Sequence, residues 1–375
     1  MEYSVERAKE LVISAGKMLV KSGLVARTWG NISARISDEK FVVTPSGLAY
    51  ETLTPEQIVV VNVEDCTYDG NIKPSSEKGI HADIYKLRPG VNFIIHTHQV
   101  MASVLSIEGK NIEVQKDEYK NILGDTVPCA AYGMSSTSKL RKKVAEAVSN
   151  YSESNALLMK YHGTVCMGNS LENSFEIAMI LEKMAQEVYE SVCGTIKERI
   201  VQTPEYGRSW RKGNSFILEV NGKLSEYGID VLPKDAPEVA LLHAEIYKSS
   251  NVFNIIHSTD AEVVEVSSKG QILRPLLDDL AQIVGVNIKT VKNESGDAKA
   301  VAKELKNKNA VLLENEGAIC TGSTESDAEA AAMILRKGCA ANLYAAALNK
   351  KDGISTADAY IQRIFYRTKY SKMKK

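Results

Sequence analysis

Two histidines stand one residue apart at the end of an apolar run, in the segment VNFIIHTHQV (91–100). In a β-strand, residues i and i+2 point to the same side, so His96 and His98 would direct their imidazoles at one point. Two converging imidazoles suit a metal ion, and two packed or solvated histidines are the alternative. The pair alone does not decide between these interpretations.

The elements that must position this pair follow from the periodicity of the apolar residues. Strand and helix patterns alternate along the first half of the chain, which predicts an α/β fold. The strand patterns lie at 40–44, 57–63, 91–97, 156–160 and 164–167, and the helix patterns at 4–22, 76–87, 136–149 and 170–198.

The composition is that of an ordinary globular protein, and 375 residues suggest two domains. Lys and Arg number 46 against 47 Asp and Glu, which argues against nucleic acid or an anionic membrane as a partner. No apolar run is long enough to span a bilayer, and the charged N-terminal helix pattern lacks the apolar core of a signal peptide. Six scattered cysteines without a CxxC pair fit a reducing, cytoplasmic location.

The second half of the chain repeats the first. Two pairs of segments correspond, in the same order and about 160 residues apart: HADIYKLRPGVNFIIH (81–96) with HAEIYKSSNVFNIIH (243–257), and ALLMKYHGTVCMGNSLENSFEIAMILEKMAQ (156–186) with AVLLENEGAICTGSTESDAEAAAMILRKGCA (310–340). This repetition predicts two homologous domains, 1–204 and 205–375, joined near QTPEYGRSW (202–210).

The two copies differ at their reactive residues. The corresponding pairs are His81 with His243, His96 with His257, His98 with Thr259, His162 with Glu316, Gly163 with Gly317 and Gly168 with Gly322, while Glu77 falls near Val239. The second copy therefore keeps framework residues and lacks reactive ones, which favours a functional role for those it lacks. His81, present in both copies, is expected to be structural, with a ring nitrogen bonded to the backbone.

Five motifs in order resemble those of the class II aldolase/adducin family: GNISAR (30–35), TPSG (44–47), KPSSE (73–77), HTH (96–98) and YHG (161–163). The resemblance covers about residues 1–200 and is strongest to the L-fuculose-phosphate aldolases. It implies a tandem duplication of a three-layer α/β/α domain with a central, mostly antiparallel sheet. The first domain would hold intact metal and phosphate motifs, and the second would be degenerate, with KGNSF (212–216) as a faint echo of GNIS.

The resemblance also implies a set of site residues. His96, His98 and His162 would hold one Zn²⁺ per chain in the N-terminal domain, since three imidazoles and an open position are typical of catalytic zinc; cobalt, manganese or iron would also suit them. Glu77 would transfer protons. A substrate phosphate would be held by backbone amides, short polar side chains and a helix start, at Gly30, Asn31, Ser46, Gly47, Ser75 and Ser76. Taken singly, those six residues are typical of turns and caps.

The implied reaction is cleavage of a ketose 1-phosphate to dihydroxyacetone phosphate and an aldehyde, with metal and Glu77 acting together. A sugar-phosphate dehydratase or a pentulose-phosphate 4-epimerase is the alternative on the same scaffold. Family epimerases tend to carry Asp where this chain has Glu77, which favours the aldolase or the dehydratase over the epimerase. A non-enzymatic, adducin-like binding protein is the remaining alternative.

Family members complete their sites with a tyrosine from a neighbouring subunit and another near the C-terminus. Tyr119 and Tyr370 are the candidates here, Tyr206 is a rival, and Tyr132 is expected to be structural. Since family aldolases form four-fold rings, we expect a homo-oligomer in which a dimer of tandem chains imitates a tetramer. The expected partner is a small phosphorylated sugar, with no nucleic acid and no membrane.

Overall fold

The computed structural model describes residues 3–25, 29–194, 206–292 and 297–368. The chain divides into two compact units, one formed mainly by residues 1–192 and the other by residues 193–367. The predicted domain boundary between residues 204 and 205 falls outside the described ranges and stays a prediction.

The described part of the first unit contains a seven-stranded sheet with the order β3-β2-β1-β4-β9-β8-β7, and a separate β5-β6 pair. Its strands are Gly30–Arg35 (β1), Lys40–Val43 (β2), Val59–Asn62 (β3), Phe93–Thr97 (β4), Ile112–Glu113 (β5), Thr126–Val127 (β6), Cys129–Ala130 (β7), Ala156–Met159 (β8) and Gly163–Gly168 (β9). Its α-helices are Val5–Lys21 (α1), Lys78–Leu87 (α2), Val100–Leu105 (α3), Asp117–Leu123 (α4), Ser138–Asn150 (α5) and Leu171–Cys193 (α6). Short 3₁₀ turns lie at Tyr50–Thr52, Pro55–Gln57 and Ser106–Glu108.

Helices cover both faces of this sheet. The amphipathic helices α2 and α5 bury Ile84 and Val144 against Ile94 and Val165 of the central strands, while α1 packs on β1 and β2. Every residue of β4 is buried, in agreement with the apolar run Phe93–Ile95 at its start. Burying each large aliphatic side chain contributes about 1.5–3 kcal/mol, so the centre of the sheet is a rigid base for the residues that follow β4.

The second unit repeats this architecture within its described residues, with the sheet order β12-β11-β10-β13-β16-β15-β14. Its strands are Arg208–Lys212 (β10), Ser215–Val220 (β11), Lys223–Gly228 (β12), Asn254–Ser258 (β13), Thr290–Val291 (β14), Ala310–Leu313 (β15) and Gly317–Gly322 (β16). Its α-helices are Glu238–Ser249 (α7), Ala261–Ser267 (α8), Ala298–Glu304 (α9), Glu325–Ala347 (α10) and Thr356–Thr368 (α11), with a π-helical turn at Leu280–Val284.

In each sheet only the last pair, β7 with β8 and β14 with β15, is parallel, and the other neighbours are antiparallel. The predicted α/β class, the mostly antiparallel sheet and the duplication are therefore confirmed. Of the helices in the described residues, none combines the length and the apolar character that crossing a membrane requires.

The correspondence of KGNSF with GNIS was wrong. The counterpart of β1 is β10, because Arg211 donates to the carbonyl of Tyr247 as Arg35 donates to that of Tyr85. Gly213 instead lies in the turn between β10 and β11, with a φ of 61° that favours glycine. Tyr206 consequently belongs to the second unit.

Candidate metal centre

Two antiparallel strands bring the three predicted ligand histidines together. His96 lies on β4, His98 directly follows that strand, and His162 lies in the turn that leads into β9. The end of β4 is paired with the start of β9, where Thr97 faces Thr164, so the turn stands beside the His-Thr-His segment. The three imidazoles offer ligand atoms that all lie within 4.8 Å of one another, and all three residues are buried.

The backbone sets the orientation of His96. Its Nδ1 lies 2.7 Å from the carbonyl oxygen of Thr164, which can only accept, so Nδ1 carries the proton. The Nε2 atom therefore keeps its lone pair, as metal ligation requires. Gly163 permits this packing, because a Cβ there would lie 2.5 Å from the Thr97 oxygen and 3.2 Å from Cε1 of His96.

The carboxylate of Glu77 reaches the same point. Its Oε2 lies 3.2 Å from Nε2 of His96, and its Oε1 lies 3.3 Å from Nε2 of His162. Burial acts to raise the pKa of Glu77, but His162 and His96, when protonated at Nε2 in the absence of a metal, outweigh it through charge and hydrogen bonds and hold the pKa well below its usual range. Glu77 is thus a buried carboxylate, held ionised at the focus of the histidines.

These residues fit a divalent metal ion. Three imidazoles are a ligand set typical of zinc and its neighbours in the first transition row. The orientation of His96 by a backbone carbonyl is the kind of support that metal-ligating histidines receive. The group His96, His98 and His162 could therefore bind a metal in the first unit.

Asn31 and Glu77 are linked directly, since the Nδ2 of Asn31 donates to Oε2 of Glu77 at 3.2 Å. Asn31 faces His96 across the β1–β4 pair. Gly30 permits this approach, because its φ is 122° and a Cβ there would lie 2.3 Å from the His96 oxygen. The motifs GNIS and HTH therefore meet where β1 begins and β4 ends.

The other predicted phosphate residues lie on two adjacent loops. The amide of Ser46 donates to the carbonyl of Lys73 at 2.9 Å, and the amide of Ser75 donates to that of Thr44 at 3.0 Å. Gly47 follows with a φ of 79°. Helix α2 begins at Lys78 and not at residue 76 as predicted, so both serines precede it. Their role with phosphate stays a prediction.

Those two serines have different neighbours. Ser75 is buried and its Oγ accepts from the amide of Glu77 at 3.2 Å, which ties the phosphate motif to the carboxylate. The Oγ of Ser76 lies 2.8 Å from the Oγ of Ser136, whose backbone amide donates to Oε1 of Glu77 at 3.4 Å. The loop that carries Ser136 is a part of the site that the sequence did not indicate.

The expectation for His81 was wrong in its partners. Both ring nitrogens of His81 contact side chains and not the backbone: Nδ1 lies 2.6 Å from the Oγ of Ser33, and Nε2 contacts Oδ1 of Asn31. Burial, with a smaller contribution from His96, lowers the pKa of His81 to about 3, so the ring is neutral. The alternation of Asn31 and Ser33 on one face of β1 was the signal for these contacts.

The tyrosine candidates are placed as follows. Tyr119 is buried on α4, where its hydroxyl donates to Oε1 of Glu187 on α6 at 2.8 Å. Tyr132 packs edge-on against Tyr161, with 5.7 Å between ring centroids. Tyr370 lies outside the described residues. The catalytic roles of Tyr119 and Tyr370 stay predictions.

The corresponding place in the second unit is arranged differently. Nε2 of His257 lies 2.6 Å from the carbonyl oxygen of Glu316, and Nδ1 accepts from the amide of Tyr206 at 3.4 Å. The hydroxyl of Tyr206 donates to Oε2 of Glu316 at 2.7 Å. Both nitrogens of this histidine therefore face backbone groups, and its ring is turned relative to that of His96.

The model of the family described as "Class II Aldolase and Adducin N-terminal domain" matches residues 10–189 and 216–343. The chain is 36% identical over 183 residues to the 5-methylthioribulose-1-phosphate/5-deoxyribulose-1-phosphate aldolase of Escherichia coli O45:K1 (strain S88 / ExPEC). The aligned segment covers 48% of the chain and 84% of that protein.

It is likewise 32% identical over 168 residues to the L-fuculose phosphate aldolase of Escherichia coli (strain K12), which covers 45% of the chain and 76% of that protein. Among solved structures, an L-fuculose 1-phosphate aldolase aligns at 27% identity with a TM-score of 0.46, over 49% of this chain and 85% of that one. The family model matches both units, each with its own sheet. The chain therefore belongs to the class II aldolase/adducin family.

Proposed function

We propose that the first unit is a zinc-dependent aldolase that cleaves a ketose 1-phosphate to dihydroxyacetone phosphate and an aldehyde. The observation that carries the proposal is the buried histidine triad with the Glu77 carboxylate 3.2 and 3.3 Å from two of its Nε2 atoms. Relatives whose names specify aldolase action on ribulose 1-phosphates and on L-fuculose phosphate support the substrate class.

The residues of this chain have distinct tasks in the proposed reaction. The loops at residues 44–47 and 73–76, together with the side-chain amide of Asn31, hold the phosphate through their hydroxyls and through amides other than those of Ser46 and Ser75, which donate to backbone carbonyls. His96, His98 and His162 would hold the zinc ion, which would supply Lewis acidity toward the substrate carbonyl.

Glu77 moves the proton. Its carboxylate, which lies against two ligands of the triad, acts first as a base. It accepts a proton as the aldehyde forms and returns it to the carbon that lost the bond, which yields dihydroxyacetone phosphate. Burial of the carboxylate excludes bulk water from this transfer.

The test is release of dihydroxyacetone phosphate from a panel of ketose 1-phosphates, with metal content measured on the same protein. Release that a chelator abolishes, that zinc restores and that Glu77→Gln loses would support the aldolase. Glu316→Gln is the matched control, because it removes a carboxylate from the corresponding turn of the second unit. No release from a protein that carries one metal per chain would favour the dehydratase or epimerase instead, and inactivity on every sugar phosphate would favour a binding protein.

The proposed assembly is a dimer in which two tandem chains imitate the four-fold ring of family aldolases. Two units of the same fold in one chain support it. Sedimentation equilibrium should give twice the chain mass of 41.1 kDa, and a monomer under the conditions of the activity assay would contradict it.

A further inference from the structure

A line of five buried side chains, joined by hydrogen bonds, runs from Tyr85 to Glu77. The hydroxyls of Tyr85 and Ser33 lie 2.7 Å apart, and the Oγ of Ser33 lies 2.6 Å from Nδ1 of His81. Nε2 of His81 then contacts Oδ1 of Asn31, and Nδ2 of Asn31 donates to Glu77. All five residues are buried.

Each member of this line has only one consistent orientation. The Glu77 carboxylate accepts, so Asn31 must present its NH₂ group there and its oxygen to His81. His81 must then carry its proton on Nε2, which leaves Nδ1 to accept from the hydroxyl of Ser33. Tyr85 donates to Ser33 in turn, and the amide of Asn31 is held with its donors toward the metal site.

The second unit separates what the fold needs from what the site needs. The hydroxyls of Tyr247 and Ser209 lie 2.8 Å apart, and Ser209 lies 2.8 Å from Nδ1 of His243, as in the first unit. Gly207 stands where the first unit has Asn31. The buried Nε2 of His243 has no hydrogen-bond partner among the described residues. The same fold therefore forms without the histidine-to-asparagine contact.

We propose that His81 is a positioning residue, which fixes the side-chain amide of Asn31 so that its donors face Glu77 and the substrate. The catalytic part of this inference rests on the proposed aldolase function, whereas the orientation of Asn31 does not. His81 touches neither substrate nor metal in this role and acts only through Asn31.

Two substitutions separate positioning from folding. In His81→Asn the shorter amide keeps the contact with Ser33 but does not reach Asn31, whereas in His81→Gln the amide nitrogen replaces Nε2 as the donor to Asn31. His243→Asn is the matched control, since it makes the same change at an equally buried position of the second unit.

The first measurement is hydrogen exchange of the Asn31 side-chain amide in protein labelled with ¹⁵N-asparagine, with the signal assigned by its loss in Asn31→Asp. Exchange should be slow in the parent, His81→Gln and His243→Asn, and at least tenfold faster in His81→Asn. Unchanged exchange in His81→Asn, or equally fast exchange in His81→Gln, would overturn the proposal whether or not the protein is an aldolase.

The second measurement is turnover, with metal content determined in parallel. We expect kcat to fall at least tenfold in His81→Asn at one bound metal per chain, to recover largely in His81→Gln, and to stay at the parent value in His243→Asn. An equal loss in His81→Asn and His243→Asn would contradict the positioning role. Absence of turnover in the parent would contradict the proposed function alone, because amide exchange still decides the orientation of Asn31.

Discussion

Each unit has a histidine at the same position of its central strand, His96 on β4 and His257 on β13, and the two rings make different contacts. His96 directs Nδ1 to a backbone carbonyl and Nε2 to the point where His162 and Glu77 converge. His257 directs Nε2 to the carbonyl of Glu316 and accepts an amide hydrogen bond at Nδ1.

This difference separates the framework of the fold from its chemistry. The glycines at the start of β9 and β16 serve close packing of strands in both units, since a Cβ on Gly163 or Gly317 would lie 2.5 or 2.1 Å from a neighbouring backbone oxygen. A converging triad, by contrast, occurs only in the first unit among the described residues. A histidine retained in both copies is therefore not by itself a sign of metal binding.

Glu77→Gln has the largest expected effect. The amide cannot take up a proton, so release of dihydroxyacetone phosphate should fall about a thousandfold, within the range of about 10²–10⁴ for general acid–base catalysis. Glu316→Gln should turn over like the parent. Equal rates for Glu77→Gln and the parent, at equal metal content, would remove Glu77 from the reaction.

His98→Thr gives the first unit the residue that the second has at Thr259. Loss of one imidazole should weaken metal binding at least about 100-fold, measured by calorimetry and by metal analysis after dialysis. Thr259→His should not add a second metal, because His257 faces the backbone through both nitrogens. Two metals per chain in Thr259→His would contradict this account of the second unit.

His243 should make the stability of the second unit depend on pH. Burial, with a smaller contribution from His257, lowers its pKa to about 3 in the folded protein, against about 6.5 when unfolded. Its stabilising contribution is complete above pH about 6.5 and is lost as the pH falls toward 3, because only the unfolded state then binds the proton. The slope is about 1.4 kcal/mol per pH unit.

Urea unfolding of Trp29→Phe protein measures this slope, since the chain has two tryptophans and Trp210 then reports on the second unit alone. His243→Gln in the same background should show a shallower dependence on pH, because it removes the group that titrates. The same slope with and without His243 would show that another group is responsible.

Tyr206→Phe is expected to have the smallest effect. It removes the hydroxyl that donates to Glu316, and because Glu316 is partly exposed the loss should be about 1 kcal/mol of the second unit's stability. The Trp210 signal should report it, while turnover in the first unit stays unchanged. A loss of turnover in Tyr206→Phe at full metal content would give Tyr206 a role in catalysis.

The sequence was sufficient for the features that depend on short periodicities. The i, i+2 spacing of His96 and His98 predicted their convergence, and the internal repeat predicted two sheets of one topology. The strand β1 was identified only as a motif, because its six residues GNISAR include polar side chains that are buried by hydrogen bonding and not by apolar character.

The features that sequence did not predict depend on rotamers and on distant packing. Asn31 and His81 are 50 positions apart, and only the fold shows that they touch. The sequence does not assign Tyr206 to one domain, because this residue lies near the predicted join and its hydrogen-bond partner Glu316 is 110 positions away. The similarity of KGNSF to GNIS reflected a hairpin's need for glycine and asparagine, not a shared site.

The double use of His257 has an evolutionary consequence. To regain a metal site, the second unit would have to turn this ring, release the hydroxyl of Tyr206 from Glu316, and acquire two further imidazoles. No single one of these changes would be rewarded by binding, and the first of them would break hydrogen bonds already in place. Single substitutions therefore cannot restore metal binding stepwise. Selection on the second unit can act on its surface and its stability far more readily than on a return to catalysis.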